Sequence, residues 1–268
     1  MYFCQTMRQV SFYKYQGAGN DFILVDNRNE DYSFINLDLI KKMCNRHFGI
    51  GSDGFIFINK HQQFDFDMRF HNPDGTQSFC GNGARCAVAF YSFLVNRIGQ
   101  FTFNAFDGFH TAELMENGMV RLEMNDVTEI IKHSETNYEL YTGSPHLIQF
   151  KSDIDSIDVI QEGAKIRFSE KYKAEGININ FIQVIDYQSI LIRTYERGVE
   201  DETLACGTGI TAAALAFAKN VKMSGFNRVN VSARGGELFV EFDSKENGFD
   251  SIVLEGPASF VFKGEINV

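Results

Sequence analysis

The sequence predicts an α+β fold in two similar halves, each with one long buried helix and a thiol at its tip. Three observations carry this. Cys80-Gly81-Asn82-Gly83-Ala84-Arg85-Cys86 is a short polar turn that runs into an apolar segment. There Ala84, Ala87, Val88, Tyr91, Leu94, Val95 and Ile98 recur at helical spacing, and Ala89, Phe90 and Phe93 fill the other side. A helix apolar nearly all round is buried on all sides. Cys206-Gly207-Thr208-Gly209 then leads into a second such run, Ile210 to Ala218. Cys80 falls on Cys206, Gly81 on Gly207 and Gly83 on Gly209, an offset of 126 residues (206 − 80) in a chain of 268. Finally, a strand-like run precedes each thiol, Phe64 to Phe70 and Ile190 to Tyr195.

The remaining elements follow in order. Ser11 to Tyr15 and Asp21 to Asp26 read as strands about a Gly-rich turn that holds Asn20. Asn36 to His47 reads as an amphipathic helix stopped by Gly49, with Leu37, Ile40, Met43 and Cys44 inward. Gly54 to Lys60 is a buried strand. In the next, Phe64, Phe66, Met68 and Phe70 alternate with Asp65, Asp67 and Arg69. Asn72-Pro73-Asp74-Gly75 is a turn. Phe101 to Phe106, His110 to Met115 and Met119 to Met124 are strands. The pattern weakens over Asn125 to Lys132, where the domain crossing is placed: 1–126 carries Cys80, 127–255 carries Cys206, and 256–268 returns to the first half. Beyond it come a strand at Leu147 to Phe150 and a short helix at Asp153 to Gln161. Strands are expected at Ile179 to Ile185, Ser189 to Tyr195, Arg228 to Ser232, Glu237 to Phe242 and Ile252 to Leu254. Gly256-Pro257 ends that run before a last strand at Ser259 to Phe262.

Composition narrows the function. A formal net charge of −10 argues against nucleic acid or an anionic membrane as partner. No apolar run approaches the roughly 20 residues of a membrane helix, and Met1 to Arg8 lacks the apolar core of an export signal. Five Cys, an odd number, then suit a reducing, cytoplasmic compartment. Cys80 and Cys86 lack zinc-ligand spacing, so no metal is expected.

Two readings of the thiols stand. Both Cys pack as small hydrophobes, or both do chemistry. A helix N-terminus has amides without intrahelical partners; these bind a carboxylate and favour a thiolate. One such thiol implies covalent catalysis with a neighbouring base, for which His146 is the candidate. Two matched thiols imply something else. Facing one carbon, a thiolate removes a proton and the opposite thiol delivers one to the other face, with no cofactor. With reacting atoms about 3–3.5 Å apart, the sulfurs would stand roughly 7 Å apart across the substrate. One must be ionised and the other protonated, against an ordinary thiol pKa of about 8.5.

Phe12 to Asp26 (FYKYQGAGNDFILVD), Phe48 to Gly54 (FGIGSDG), Asn72 to Cys86 (NPDGTQSFCGNGARC) and Tyr195 to Gly209 (YERGVEDETLACGTG) together resemble the diaminopimelate epimerase family. Proline racemases are similar in fold, but their first thiol motif typically carries His where this chain has Asn82; the phenazine-biosynthesis relatives lack the thiol pair. The resemblance implies two pseudo-symmetric domains, each a curved, mostly antiparallel sheet wrapped round a central helix. It implies interconversion of LL- and meso-2,6-diaminopimelate for lysine and peptidoglycan precursors, without cofactor; a homodimer is compatible with it. By resemblance Cys206 is the proton acceptor and Cys80 the donor in the LL-to-meso direction. The backbone of Gly81, Asn82, Gly207 and Thr208 holds the reacting carboxylate and Asn20 the α-amino group. Asn72, Asn178, Glu196 and Arg197 read the distal end. Local pattern alone leaves Asn20 a turn residue, and Glu196 and Arg197 a solvated pair. Ser144 stands where the family has Asn, and Gly54 where it often has a longer side chain, so Gly54 is given no role. His146 either tunes a thiol or is a buried, satisfied His. The rivals are a related racemase of another amino or imino acid and a non-catalytic binding protein of the same fold.

Overall fold

A run of strands interrupted by two kinds of helix, one amphipathic and one apolar all round, builds each half of the protein. The computed structural model describes residues 8–29 and 31–268. The reading of the N-terminus as lacking an export signal therefore lies outside the described residues, except at Arg8. The described residues up to Val120, with Ala258–Val268, form one compact unit, and Arg121–Pro257 forms the second.

The first unit contains β1 (Gln9–Gly17), β2 (Asn20–Asp26), α1 (Leu37–Cys44), β3 (Gly54–Asn59), β4 (Phe66–His71), α2 (Gly81–Val95), β5 (Gly99–Ala105) and β6 (Gly108–Leu114). β7 (Met119–Glu123) carries the chain into the second unit. There follow β8 (Ile130–Ser134), β9 (Asn137–Tyr141), β10 (Pro145–Phe150), α3 (Val159–Arg167), β11 (Asn178–Val184), β12 (Ser189–Glu196), β13 (Asp201–Thr203), α4 (Gly207–Val221), β14 (Gly225–Ala233), β15 (Gly236–Lys245) and β16 (Gly248–Pro257). β17 (Ser259–Asn267) pairs antiparallel with β1.

The repeat seen around the two thiols extends through the pairing. β2 is parallel to β3, β3 antiparallel to β4, β4 parallel to β5 and β5 antiparallel to β6. In the second unit β10 is parallel to β11, β11 antiparallel to β12, β12 parallel to β14 and β14 antiparallel to β15. Parallel neighbours need a crossover, and the helices fall in matching crossovers, α1 with α3 and α2 with α4. The registers match as well. Phe22↔Gly54 and Phe55↔His71 correspond to His146↔Asn178 and Ile179↔Tyr195.

Within the first unit α2 packs on β1, β2, β3, β4, β6 and β17; within the second, α4 packs on β9, β10, β11, β12, β14, β15 and β16. That is why α4, and α2 over its first three turns, are apolar all round: strands meet them on every side there. In α4 every residue from Gly209 to Ala218 is buried. Small Ala212, Ala213, Ala214, Ala216 and Ala218 let the strands approach, while Phe217 supplies bulk. Burying one such ring is worth about 1.5–3 kcal/mol.

Several expectations need correction. α2 is buried over its first three turns only. Phe93 and Ile98 are each 61% exposed, and Ile98 lies past the left-handed Asn96 (φ 51, ψ 51) that ends the helix. α1 stops at Cys44 rather than His47, because the Asn45 side chain accepts from the His47 and Phe48 amides at 2.8 and 2.9 Å and bends the chain away. Gly49 lets the chain fold back on that helix end: a Cβ there would lie 2.0 Å from the Lys42 carbonyl oxygen. α3 starts at Val159, where Asp158 caps the Gln161 amide at 3.0 Å, not at Asp153. Gly256-Pro257 does not break β16, which runs through Pro257. β8, β9 and β13 were not expected. β8 is mostly solvent-exposed, so it lacks the apolar alternation by which strands are recognised.

Candidate active site

Both thiols are helix N-caps with nearly the same extended backbone, φ −131, ψ 111 at Cys80 and φ −113, ψ 111 at Cys206. In each case the next residues, Gly81 and Asn82 or Gly207 and Thr208, form a first turn whose amides have no carbonyl four residues back. The surroundings of the two thiols differ.

In the first unit Cys80 Sγ accepts from the Gly83 amide at 3.4 Å and donates to Asn20 Oδ1 at 3.8 Å. Asn20 Oδ1 also accepts from Asn82 Nδ2 at 3.3 Å, and Asn20 Nδ2 donates to Asp53 Oδ2 at 2.8 Å. Asn82 is in turn held by Arg85, whose Nη2 reaches Asn82 Oδ1 at 2.8 Å from a fully buried position. Behind Asn20 lies a charged network. Arg46 Nη2 bonds both Asp21 and Asp53 at 2.6 Å, and Lys14 pairs with Asp21 at 2.6 Å and with the Gly51 carbonyl. Burial alone would raise the Asp21 carboxyl, but the hydrogen bonds from Arg46 and Lys14 outweigh it and hold it at about 2. Burial pushes the Cys86 thiol far up, so this neighbour of the site stays protonated.

In the second unit Cys206 Sγ lies 3.5 Å from Thr208 Oγ1. Thr208 Oγ1 is 2.9 Å from His146 Nε2, and His146 Nδ1 is 3.1 Å from Asn180 Nδ2. Asn180 Oδ1 accepts from Thr194 Oγ1 at 2.9 Å. Burial, with the Arg197 charge adding to it, holds the His146 imidazole down at about 3, so it is neutral at physiological pH. A second cluster sits beside this one. Asn178 Nδ2 donates to Ser144 Oγ at 2.9 Å and to the Pro145 carbonyl at 3.0 Å, and Asn178 Oδ1 accepts from the Arg197 amide at 2.9 Å. Arg197 donates to the Glu175 carbonyl at 3.0 Å and reaches Ser144 Oγ at 3.5 Å. The residue as a whole is exposed. Glu196 Oε2 accepts from Thr203 Oγ1 at 2.8 Å.

Of the residues singled out in the sequence, Cys80, Asn20, Gly81 and Asn82 therefore meet in one unit, and Cys206, Gly207, Thr208 and His146 in the other. Ser144, Asn178 and Arg197 form a group, with Glu196 adjoining it along the chain. Asn72 is not joined to Cys80 by its side chain: its amide is spent on Thr76 Oγ1 at 3.0 Å and Ser78 Oγ at 3.2 Å, within the loop leading to Cys80. Gly54 has no room for a side chain, because a Cβ would lie 2.3 Å from the Phe70 ring. Asp53, Arg85, Asn180 and Thr194 were given no role from sequence. Asp53 and Arg85 lie inside quoted motifs, and Asn180 is a polar residue in an otherwise apolar strand, which is a usable signal.

A profile of the family described as diaminopimelate epimerase matches residues 12–130 and 138–261. The protein named diaminopimelate epimerase in Flavobacterium psychrophilum is 46% identical over 258 residues, covering 96% of this chain and 100% of the relative. The protein of that name in Chlorobaculum tepidum is 39% identical over 260 residues, 94% of this chain and 99% of the relative. Among solved structures, a Bacillus anthracis phenazine biosynthesis protein of the PhzF family superposes with a TM-score of 0.78 at 14% identity, covering 98% of this chain and 100% of that one. A hydroxyproline epimerase from Agrobacterium vitis gives 0.71 at 9% identity, over 97% and 93%. At such identities the structures speak for the fold, while the profile and the closer relatives speak for descent. By both of the latter, the chain belongs to the diaminopimelate epimerase family.

Proposed function

We propose that this protein is a cofactor-independent isomerase that interconverts LL- and meso-2,6-diaminopimelate by passing protons through Cys80 and Cys206. The observation that carries the reading is the duplicated N-cap: one thiol at the tip of a buried helix in each unit. A thiolate on one side breaks the Cα–H bond and keeps that proton; the opposite thiol gives its own proton to the other face of Cα. Between the two steps the electron pair of the broken bond spreads onto the α-carboxylate. The first-turn amides of α2 and α4 suit that charge, because donors aimed at developing charge lower the barrier most. Asn20 Oδ1 suits an α-ammonium, since its nitrogen is committed to Asp53. Arg197, with Asn178 and Ser144, supplies a cation and neutral hydrogen-bonding groups for the distal amino-acid end. A planar guanidinium pairs bidentately with a carboxylate. Such a reaction serves lysine and peptidoglycan precursor supply, and a cytoplasmic setting keeps the thiols reduced. No helix among the described residues is long and apolar enough to cross a membrane.

The test is substitution. Cys80→Ala and Cys206→Ala each abolish epimerisation while the far-UV circular dichroism stays that of the parent. Near-normal turnover by either variant ends the two-thiol reading.

A further inference from the structure

We infer that Asp53, backed by Arg46, is a positioning residue that holds Asn20 with its amide oxygen towards the reacting centre, so that the site takes its substrate with the α-nitrogen as an ammonium. The inference rests on the reading of the protein as a two-thiol amino-acid isomerase, and it deepens that reading.

The orientation of Asn20 is fixed from two ends independently. At one end the Asp53 carboxylate offers acceptors only, so the Asn20 atom 2.8 Å from its Oδ2 is the nitrogen. At the other end stands the fully buried Arg85, whose guanidinium offers donors only. The Asn82 atom 2.8 Å from Arg85 Nη2 is therefore the oxygen, which turns Asn82 Nδ2 towards Asn20 at 3.3 Å. The Asn20 atom that meets it must be Oδ1, and the two ends agree. Asp53 is itself well placed to impose this. Its amide donates to the Asp21 carbonyl at 2.8 Å, its Oδ2 accepts from the Asp21 amide at 3.2 Å, and its Oδ1 takes Arg46 Nη2 at 2.6 Å. The Asp53 side chain is 40% exposed and that of Arg46 55%. An ion pair so exposed adds little to stability; what it does here is orient an amide.

The consequence is chemical. Asn20 Oδ1 lies beside Cys80, 3.8 Å from a sulfur that also accepts from the Gly83 amide at 3.4 Å. An amide oxygen has two lone pairs. Asn82 Nδ2 takes one, and the long thiol contact leaves the second to a better donor. An acceptor there favours an ammonium over the free amine. The ammonium draws electrons from Cα, so the neighbouring C–H gives up its proton more readily than it does beside an amine. Turned over, Asn20 would present donors, to which only the free amine could respond, and the harder deprotonation would follow.

The test is a double-substitution cycle on kcat/KM for diaminopimelate in the full-length protein, with thermal unfolding of every variant. Asp53→Ala leaves Arg46 bonded to Asp21 at 2.6 Å, so the loop keeps its anchor. It lowers kcat/KM roughly tenfold, the worth of one hydrogen bond to a charged group, and Asn20→Ala lowers it at least as far. Added to Asn20→Ala, the Asp53→Ala change costs nothing further, because Asp53 acts only through Asn20. Losses that multiply in the double variant overturn the inference, as does an Asp53→Ala protein with the wild-type kcat/KM. Competitive inhibition by the α-methyl analogue of diaminopimelate, which has no proton to lose at that carbon, is followed between about pH 7 and 10. Its Ki rises as the α-ammonium deprotonates, more steeply in wild type than in Asn20→Ala; equal slopes overturn the ammonium assignment. A neutron structure of the wild-type protein in D₂O reads the amide with no substitution at all. Deuterons on the Asn20 atom facing Asp53 are expected, and deuterons on the atom facing Asn82 overturn the inference. If Cys80→Ala still turns over, the two-thiol reading falls. If that variant is dead and the losses multiply, only the positioning role is wrong.

Discussion

Gly83 and Gly209 occupy the same place in the two Cys-Gly-x-Gly motifs, yet replacing each by alanine should give different results. In a helix, Gly→Ala gains up to about 1 kcal/mol of propensity. At Gly83 the new methyl would meet the end of the Ile56 side chain at 3.3 Å and Cys80 Sγ at 3.6 Å. The Ile56 tip can yield by a few tenths of an ångström, so Gly83→Ala should be neutral or slightly stabilising. At Gly209 the methyl would lie 2.6 Å from Asn180 Oδ1. That amide cannot yield freely, because Thr194, His146 and Leu147 hold it at 2.9, 3.1 and 3.3 Å. Losing two or three buried hydrogen bonds at about 1 kcal/mol each, less the propensity gain, leaves a net loss of about 1–2 kcal/mol. For a chain of this size that lowers Tm by roughly 2–8 °C. Displacing Asn180 also disturbs His146 and, through it, Thr208 beside Cys206, so Gly209→Ala should lose turnover beyond its loss of stability. Thermal unfolding and initial rates on both variants decide it. A Gly209→Ala protein as stable and as active as Gly83→Ala would refute the packing argument.

The other predictions concern pH and selectivity. The folded His146 pKa lies near 3, against 6.5 for a free imidazole, so the unfolded chain binds the extra proton throughout that window. Stability contributed by the neutral ring is present above pH 6.5 and drains away as pH falls towards 3, on the order of 5 kcal/mol over the whole range. Urea unfolding between about pH 7 and 4 should show a shallower pH slope in His146→Gln; equal slopes would contradict the buried neutral ring. Arg197 is exposed; under the proposed function its pairing with a distal carboxylate would be worth about 1.5–3 kcal/mol, or roughly 10- to 150-fold. Arg197→Met should lower kcat/KM for diaminopimelate by that factor and leave the residual rate on lysine, which lacks the distal carboxylate, unchanged. Wild type accepting lysine as readily as diaminopimelate would remove Arg197 from that role.

What could be read in advance followed from how local each signal is. The thiol N-caps were legible because a Gly-rich turn entering an all-apolar helix is a contiguous pattern, and its repetition exposed the two-unit build. Strand runs such as Gly54–Asn59 showed through their own composition. Helix ends were misplaced where a single side chain decides them, as Asn45 does for α1 and Asp158 for α3. The polar layer beneath each thiol was invisible for a different reason. Asn180 reaches His146 because β10 runs parallel to β11 with His146 opposite Asn178, which puts Asn180 on the same face two residues on. Asp53 reaches Asn20 across a crossover of 33 residues. Neither partnership exists until the register is set. Whether His146 tunes a thiol or is merely satisfied was open for that reason, since its tautomer depends on the orientation of one amide.

The central claim is that two groups, one on each face of the α-carbon, share the proton transfer. Solvent isotope uptake at early turnover tests it most directly. Unlabelled LL-diaminopimelate is given to the protein in D₂O with no cofactor, and deuterium at Cα is counted in the meso product and in the unreacted substrate. The proton removed stays on one thiol while the other, already exchanged with solvent, supplies the new hydrogen. The account therefore predicts deuterium in nearly every product molecule and almost none in remaining substrate. Early product that retains the substrate's own protium would mean that a single group carries the proton from one face to the other, and would contradict it.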